Sequence, residues 1–561
     1  MAQEILKLCM SKGFLLDKEM LGIFSGLADE GARKVVEALG GIGIKERVIS
    51  KILFQENFEK IRQVLISEEG VEEIFTFFEE SSSFKRIEEK KEKVLDSGNL
   101  KFLSAPAFPQ KKIEVKDFVN HFRSRYEMMR KIFEERDFEY LTSIRKIGMN
   151  RGNHTVIGCV LNKRMTKNKN LMVEVDDLSG TAVILVNQNK KEVFEKGREL
   201  LDDDIVAFSV SGNSEMLFAN DIFFPEARIE EKRYSEFDEY VAFISDLHAG
   251  SKMFLEENLR RFVRWLNGEE GDKEQKEIAR KVRYLIINGD TIDGVGVYPS
   301  QEALLKEKTS VGQYGLLADI LKGVRKDIKM IMGPGQHDAV WVGEPQPIIG
   351  DRWAPALYEI ENLYLVPNPS LIEVDGGFKI LMYHGGSINR FIDEIPYIRT
   401  NFGHKSPTTV VKEFLKRRHL APMHGAMDYI PCEGDDPLVI KEVPDIITTG
   451  DQHRLQISEY NNILLIATSC FQSITPFEEK VGNVPDPAKV PIFNLKTREI
   501  KILDFSDEDR EVGVEKKEKM DEDGETGIVK GVESRKYGGG RDVAEGFEVA
   551  KEDELEEEVL E

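Results

Sequence analysis

Residues Tyr240–His248 read YVAFISDLH, an apolar run that stops at Ser245 and is followed by an aspartate and a histidine two positions apart. Side chains two apart at the end of a strand leave on the same face, so Asp246 and His248 project together. Four later runs end in the same way. VRYLIINGD stops at Asp290, IKMIMGPGQHD at Gln336, His337 and Asp338, FKILMYHGG at His384, and PDIITTGDQH at Asp451 and His453. Apolar strands alternating with helical segments predict an α/β core over residues 236–505. In such sheets ligands gather outside the carboxyl ends of the strands, so five strands are expected to deliver these side chains to one edge.

The residue types suit phosphorus chemistry. Two divalent cations about 3.5 to 4 Å apart clamp an in-line displacement and need imidazoles, carboxylates and one carboxylate shared between them. Asp290 is placed for the shared role. Mixed nitrogen and oxygen ligands favour Mn²⁺, Fe or Zn²⁺ over Ca²⁺. A single histidine after a strand is ordinarily a structural group, but an ordered set in one domain is not explained that way. His121, His154 and His419 fall outside the pattern, while His404 and His424 lie inside the domain without following a strand and are expected in supporting or surface positions.

Working outward, residues 141–235 change to a period of two, as in TVIGCVLNKRMTKNKNLMVEVDDLSGTAVILVN, and predict a small β-barrel of the OB-fold type. Its few, scattered aromatics favour a structural or partner-docking barrel over one that stacks bases. Residues 1–67 carry apolar positions at helical spacing and read as a helical N-terminal domain. A charged linker ending in an amphipathic helix is expected over 68–140. Residues 506–561, with 9 basic and 21 acidic residues, read as a disordered acidic tail. The net charge of the 561-residue chain, −23, argues against coating nucleic acid by bulk charge and leaves only local contacts. Four scattered cysteines give neither a zinc site nor a disulfide framework and fit a reducing cytoplasm. No run of roughly 18 apolar residues predicts a membrane span.

The ordered blocks resemble the signature of calcineurin-like metallophosphoesterases, D-x-H, G-D, G-N-H-D, H and G-H-x-H, standing here as DLH, NGD, GQHD, YHG and TGDQH. Around them, ISDLHAGSK, NGDTIDGVGVYPSQ, GEPQPII, KEFLKRRHLAPMHGAMDYIP and DPLVIKEVPDIITTGD are similar to the small-subunit family of archaeal D-family DNA polymerases, over about residues 150–505. The resemblance implies a β-sandwich flanked by helices, preceded by the OB-fold barrel and the helical domain. It also implies pairing with a large catalytic polymerase subunit, a 3′–5′ proofreading exonuclease acting on a single-stranded 3′ end or primer-template, and the sliding clamp as a further partner. Two divalent cations are implied, Mn²⁺ first and Mg²⁺ second. Carried over by position, one cation falls to Asp246, His248, Asp290 and His453, the other to Asp290, Gln336, His384 and Asp451. His337 becomes the general acid for the leaving oxygen and Asp338 the residue that orients it.

Two positions depart from the family pattern, and both belong to the second cation. Glutamine stands at 336 where the family has asparagine, and aspartate at 451 where it has histidine. Either these are alternative ligands and the chain is a nuclease, or the second site is lost and the chain is a scaffold like the eukaryotic relatives. The retained Asp246, His248, Asp290, His337, His384 and His453 favour the nuclease. Protein phosphatases carry an arginine after the G-D block, where GDTIDG has Asp293 and Gly294. Repair nucleases of the same superfamily lack a preceding barrel. The basic run Lys412, Lys416, Arg417 and Arg418 suits phosphate or a subunit face equally, and Trp341 and Trp353 are expected in the core ahead of a base-stacking role.

Overall fold

The computed structural model describes residues 112–506 apart from 426, 433, 482 and 483, together with short stretches between 9 and 108. The charged linker at 68–99 and the acidic tail beyond 506 lie outside the described residues. The chain divides into two compact units, Met1–Gly98 and Asn99–Glu561. In the first, the described residues include the helix Asp29–Gly41 and a short parallel pairing of Leu15–Leu16 with Val48–Ile49.

The second unit holds a barrel and a sandwich joined by a helix. Helix α1 (Val115–Glu134) opens on a capping box, in which the Glu114 amide donates to Asp117 Oδ2 at 2.8 Å and satisfies an amide the helix itself cannot. Its apolar face, Tyr126, Met129, Ile132 and Phe133, packs on Ile157, Ile205 and Ala207 of the barrel wall and on Val439 of the sandwich domain. Strands β1 (Gly152–Met165), β2 (Leu171–Asp176) and β3 (Thr181–Val186) come next, then helix α2 (Lys191–Glu199), then β4 (Ile205–Gly212) and β5 (Leu217–Phe223). They close in the order β1-β2-β3-β5-β4, with β4 returning along β1. Alternate residues, among them Val156, Val160, Val173, Val175, Val206 and Phe208, fill the barrel.

Two six-stranded sheets face one another in the remainder. The first contains β6 (Tyr240–Ile244), β7 (Val282–Asn288), β8 (Lys329–Gly333) and β9 (Leu363–Leu365), all parallel, with β15 (Lys489–Asn494) antiparallel beside β6 and β16 (Ile500–Asp504) antiparallel beside β15 at the edge. The second contains β10 (Ser370–Val374), β11 (Phe378–Met382), β12 (Ile446–Thr449), β13 (Gln456–Tyr460), β14 (Ile463–Ala467) and the short strand Lys101–Phe102. In it β11, β12 and β14 run parallel. Val241, Phe243, Tyr284 and Ile286 point between the sheets at Ile372, Ile380, Ile446 and Ile466. Their neighbours Ala242, Ile244, Leu285 and Ile287 pack outward on helices α3 (Glu256–Leu266) and α5 (Ser310–Leu321), the two flanking α4 (Lys273–Lys281). Strands covered on both faces are apolar at every position, which is why the runs read as continuous. Among the described residues no helix is long and apolar enough to cross a membrane.

Helix α6 (Ile388–Glu394) and helix α7 (Pro407–Arg417) cover the second sheet, and α7 carries the basic run. Arg417 is buried and donates to Asp204 at 3.0 Å and to the Glu199 carbonyl at 2.6 Å, both in the barrel domain, and it also pairs with Glu413. Lys416 reaches Glu199 at 2.5 Å, and Arg418 donates to the Ile440 carbonyl at 2.9 Å. These three cations are occupied within the protein, so the phosphate-binding reading of the run fails for them. The core reading of the tryptophans also fails. Trp341 is 38% exposed, with its Nε1 donating to the Pro345 carbonyl at 2.7 Å, and Trp353 is 42% exposed beneath Arg352. Both lie outside the helices and strands, on surface segments between β8 and β9, with no sheet to cover them.

Candidate metal centre

Five strand ends supply the site. Asp246 and His248 follow β6, Asp290 follows β7, and Gln336, His337 and Asp338 follow β8, all from the first sheet. His384 follows β11, and Asp451 and His453 follow β12, from the second. The chain turns abruptly at these points: Asp246, His248, Asp290, Asp451 and His453 have φ of 51°, 50°, 46°, 66° and 54°. An L residue pays about 1 to 2 kcal/mol in this left-handed region and stays there only where its surroundings hold it. Backbone bonds do the holding. The Asp246 amide donates to the Gly289 carbonyl and the His248 amide to the Asp290 carbonyl, each at 3.0 Å, while the Asp451 amide donates to Asp246 Oδ1 at 3.1 Å. Two glycines make room. A methyl group on Gly289 would stand 2.2 Å from His384 Nδ1, and one on Gly335 would stand 2.3 Å from Asp290 Oδ1.

The side chains meet in three overlapping trios, Asp246 with His248 and His453, Asp246 with Asp290 and His384, and His248 with Asp293 and His337, the ligand atoms of each lying within 4.8 Å of one another. His248 Nε2 is 3.1 Å from His453 Nε2, which is 3.5 Å from Asp246 Oδ1. His384 Nε2 is 3.3 Å from Asp290 Oδ2 and 4.0 Å from Asp246 Oδ1. Asp246 is thus common to two of the trios and His248 to two, and Asp290 lies between His384 and His337, whose Nε2 is 4.0 Å away.

Two imidazoles are hydrogen-bonded from behind, His453 Nδ1 lying 2.9 Å from Glu478 Oε1 and His384 Nδ1 2.8 Å from the Asn288 carbonyl, while His248 Nδ1 lies 3.3 Å from Asp293 Oδ1 without a hydrogen bond of normal geometry. Such partners fix the ring and its tautomer and leave the far nitrogen for a cation. Asp293, Glu478 and Asn288 were not singled out from the sequence. Asp293 stands within the conspicuous GDTIDG, but nothing local marks Glu478, which lies 25 residues beyond His453.

The charges are those of a site built for cations. Burial would raise Asp246, yet its bond to His453 and the charges of His384 and His453 bring it below the usual carboxylate range; Asp290 is likewise held down against burial, by His384 and His337. His384 is driven well above the imidazole range because Asp290, Asp246 and Asp451 outweigh its burial. Asp451 moves the other way, raised by burial and by Asp246 and Asp290. His384 Nε2 and Gln336 Oε1 are both buried without a hydrogen-bond partner among the described residues. A buried polar atom left without a partner is costly, and a cation satisfies both. The donor set, imidazole nitrogens with carboxylate oxygens, therefore fits divalent cations.

The expected role of Asp338 requires correction. His337 rests its Nδ1 on the Asp293 carbonyl at 2.7 Å. Asp338 instead accepts from the Thr291 hydroxyl, from Tyr314 Oη at 2.9 Å and from the Gly335 amide at 2.9 Å, so it ties the loop after β8 to the loop after β7 and to α5. Asp451 Oδ2 accepts from Gln452 Nε2 at 2.7 Å and from Asn389 Nδ2 at 3.3 Å. Neither Gln336 nor Asp451 belongs to a trio. His404 meets Gln452 at 3.1 Å, and His424 meets Tyr429 at 3.0 Å.

Residues 241–457 match the model of the B-subunit family of DNA polymerases alpha and epsilon. The DNA polymerase II small subunit of Methanothermobacter thermautotrophicus is 36% identical over 396 residues, 70% of this chain and 80% of that one. Its counterpart in Archaeoglobus fulgidus is 33% identical over 496 residues, 88% of this chain and 96% of the relative. A solved archaeal phosphodiesterase, 13% identical, covers 47% of this chain and superposes loosely, with a TM-score of 0.23.

Proposed function

The chain belongs to the family of archaeal DNA polymerase II small subunits, and from that premise we propose that it pairs with a large catalytic subunit and carries a metal-dependent 3′–5′ exonuclease for proofreading. One observation supports this reading above the rest: side chains from four strand ends form two overlapping ligand trios around Asp246, with His384 Nε2 buried and without a hydrogen-bond partner among the described residues. Asp246, His248, Asp290 and His453 would hold one Mn²⁺ ion and Asp290, His384, Gln336 and Asp451 the second, with Mg²⁺ as the alternative. Cations so placed neutralise charge on the scissile phosphate and lower the pKa of a bound water.

The chain's own residues do the rest. Asn288, Asp293 and Glu478 keep three imidazoles aimed inward. His337 is the general acid: its Nδ1 is anchored on the Asp293 carbonyl and its Nε2 is left to deliver a proton to the departing 3′ oxygen. Its side chain, 21% exposed, is open enough to meet a strand end. The barrel, taken as residues 141–235 and as an OB-fold from its strand order, joins the phosphoesterase domain of residues 236–505 in receiving the large subunit, and the sliding clamp is a further partner.

A second reading, a scaffold with a failed second site, draws on the engagement of Asp451 Oδ2 by Gln452 and Asn389. The deciding experiment incubates a 5′-labelled single strand and a mismatched primer-template with the chain, alone and with its large subunit, in Mn²⁺, Mg²⁺ or EDTA, beside His337→Ala. Metal-dependent 3′ trimming that is lost in His337→Ala supports the nuclease. Intact strands under every condition leave the scaffold.

A further inference from the structure

Glu344 is fully buried beside the second trio and was no part of the expected site. Its backbone is fixed on both sides, the amide donating to the Asp428 carbonyl at 3.0 Å and the carbonyl accepting from the Ile430 amide at 2.8 Å. Neither carboxylate oxygen has a hydrogen-bond partner of normal geometry among the described residues. Burial pushes the carboxyl up to about 7, against the pull of Tyr383, His384 and the Gly386 amide.

The neighbourhood of Gly386 shows what the carboxylate faces. A methyl group there would stand 2.2 Å from Gln336 Nε2 and 2.6 Å from Glu344 Oε1, so the amide nitrogen and the carboxylate oxygen look into the same small gap. The amide's other end, Gln336 Oε1, is the buried atom without a partner. An amide has a donor end and an acceptor end, and anchoring the first aims the second. Glutamine also carries one more rotatable bond than asparagine, so at position 336 it has more freedom to lose before its oxygen can serve as a ligand.

We propose that Glu344 is the positioning residue of the second cation site: the two side chains face one gap without a bond between them in this structure, and with a cation held Glu344 would take the N–H of the Gln336 amide and turn Gln336 Oε1 toward the site of His384 and Asp290. The glutamine at 336 is thereby made a competent ligand by a carboxylate behind it, as Glu478 and Asp293 serve the histidines. This inference rests on the two-cation reading of the site.

The test counts Mn²⁺ ions bound by the full chain, by titration calorimetry and by equilibrium dialysis, in wild type, Glu344→Ala, Glu344→Met, Glu344→Gln and Gln336→Ala. Glu344→Met is close in volume and stands in if the alanine variant does not fold. The wild type binds two ions. Glu344→Ala and Glu344→Met keep the first and weaken the second by about 10- to 100-fold, as losses behind a ligand typically do. Glu344→Gln, whose side-chain oxygen still accepts an N–H, restores the second ion. Adding Glu344→Met to Gln336→Ala costs nothing more, because the two act through one ligand. Two ions bound equally by wild type and both truncations would overturn the role of Glu344 alone. Equal weakening in Glu344→Gln would show that its charge acts directly and would overturn positioning. A single ion in wild type would instead overturn the two-cation reading from which the proposal starts.

Discussion

Glu478 holds His453 through a 2.9 Å contact whose pull on the carboxyl outweighs burial and keeps it below the usual range. Removing it as Glu478→Ala is expected to lower affinity for the first cation by about 10- to 100-fold, with the second ion less affected; Mn²⁺ titration reads both. His337 should behave in the opposite way. His337→Ala is expected to bind Mn²⁺ as wild type does while losing 3′ trimming by about 10²- to 10⁴-fold, the usual worth of a positioned general acid. Parallel loss of metal would instead make His337 a ligand. That the candidate ligands stand at strand ends was legible because an apolar run that stops at Asp-x-His or Gly-Asp announces a strand end. Glu478 was not, since its place beside His453 is made by the tertiary path of the chain and not by spacing. Nor was the left-handed backbone at five ligand positions, because none of those residues is glycine and only their surroundings impose it. The role of Asp338 was carried over by position from the family resemblance, whereas its carboxylate turns to Thr291, Tyr314 and Gly335.

At the scale of elements, α1 is fastened to the sandwich domain by a buried polar cluster. Arg125 donates to Asp436 at 2.6 Å and to the Pro422 carbonyl at 2.7 Å, and His121 and His419 each lie 3.2 Å from the same carboxylate. Burial and the Arg125 charge lower His419 from 6.5 to about 4, against the pull of Asp436. Between those values the unfolded chain binds a proton that the folded chain does not. The stability this group contributes is complete above about pH 6.5 and is lost as pH falls toward 4, on the order of 3 kcal/mol. His419→Gln is therefore expected to melt with a flatter dependence on pH between 7 and 4.5 than wild type. Steeper acid sensitivity in the variant would contradict the assignment. Asp436→Ala should be worse at neutral pH, costing about 3 to 5 kcal/mol because Arg125 is left buried without its partner. Helix α1 was legible as a helix from its apolar period. Its use as a strut was not, because one amphipathic face looks the same whatever it packs on. The strands were likewise legible, but not which sheet each joins, since runs covered on both faces give no clue to their neighbours.

Across the whole molecule, the barrel and the sandwich are tied by Arg417, whose guanidinium reaches Asp204 and the Glu199 carbonyl from α7. Arg417→Ala strands a buried carboxylate and is expected to lower unfolding stability by about 3 to 5 kcal/mol, measured by denaturant titration, without changing the number of Mn²⁺ ions bound. The basic run read equally as a phosphate patch or a subunit face in sequence, because clustered charges alone do not say what they meet. The barrel's acidic residues that answer them lie more than 200 positions away. With those cations committed inside the protein and a net charge of −23, the proposed contact with DNA is expected to fall to the cation centre and to the proposed large subunit. That centre is the heart of the account, and one measurement addresses it most directly: electron paramagnetic resonance of the full chain loaded with Mn²⁺, in wild type and Asp290→Asn. Two ions sharing a carboxylate about 3.5 to 4 Å apart are spin-coupled, so the account predicts a coupled multiline spectrum in wild type that collapses in Asp290→Asn. The six-line signal of an isolated Mn²⁺ in wild type, at full loading, would contradict it.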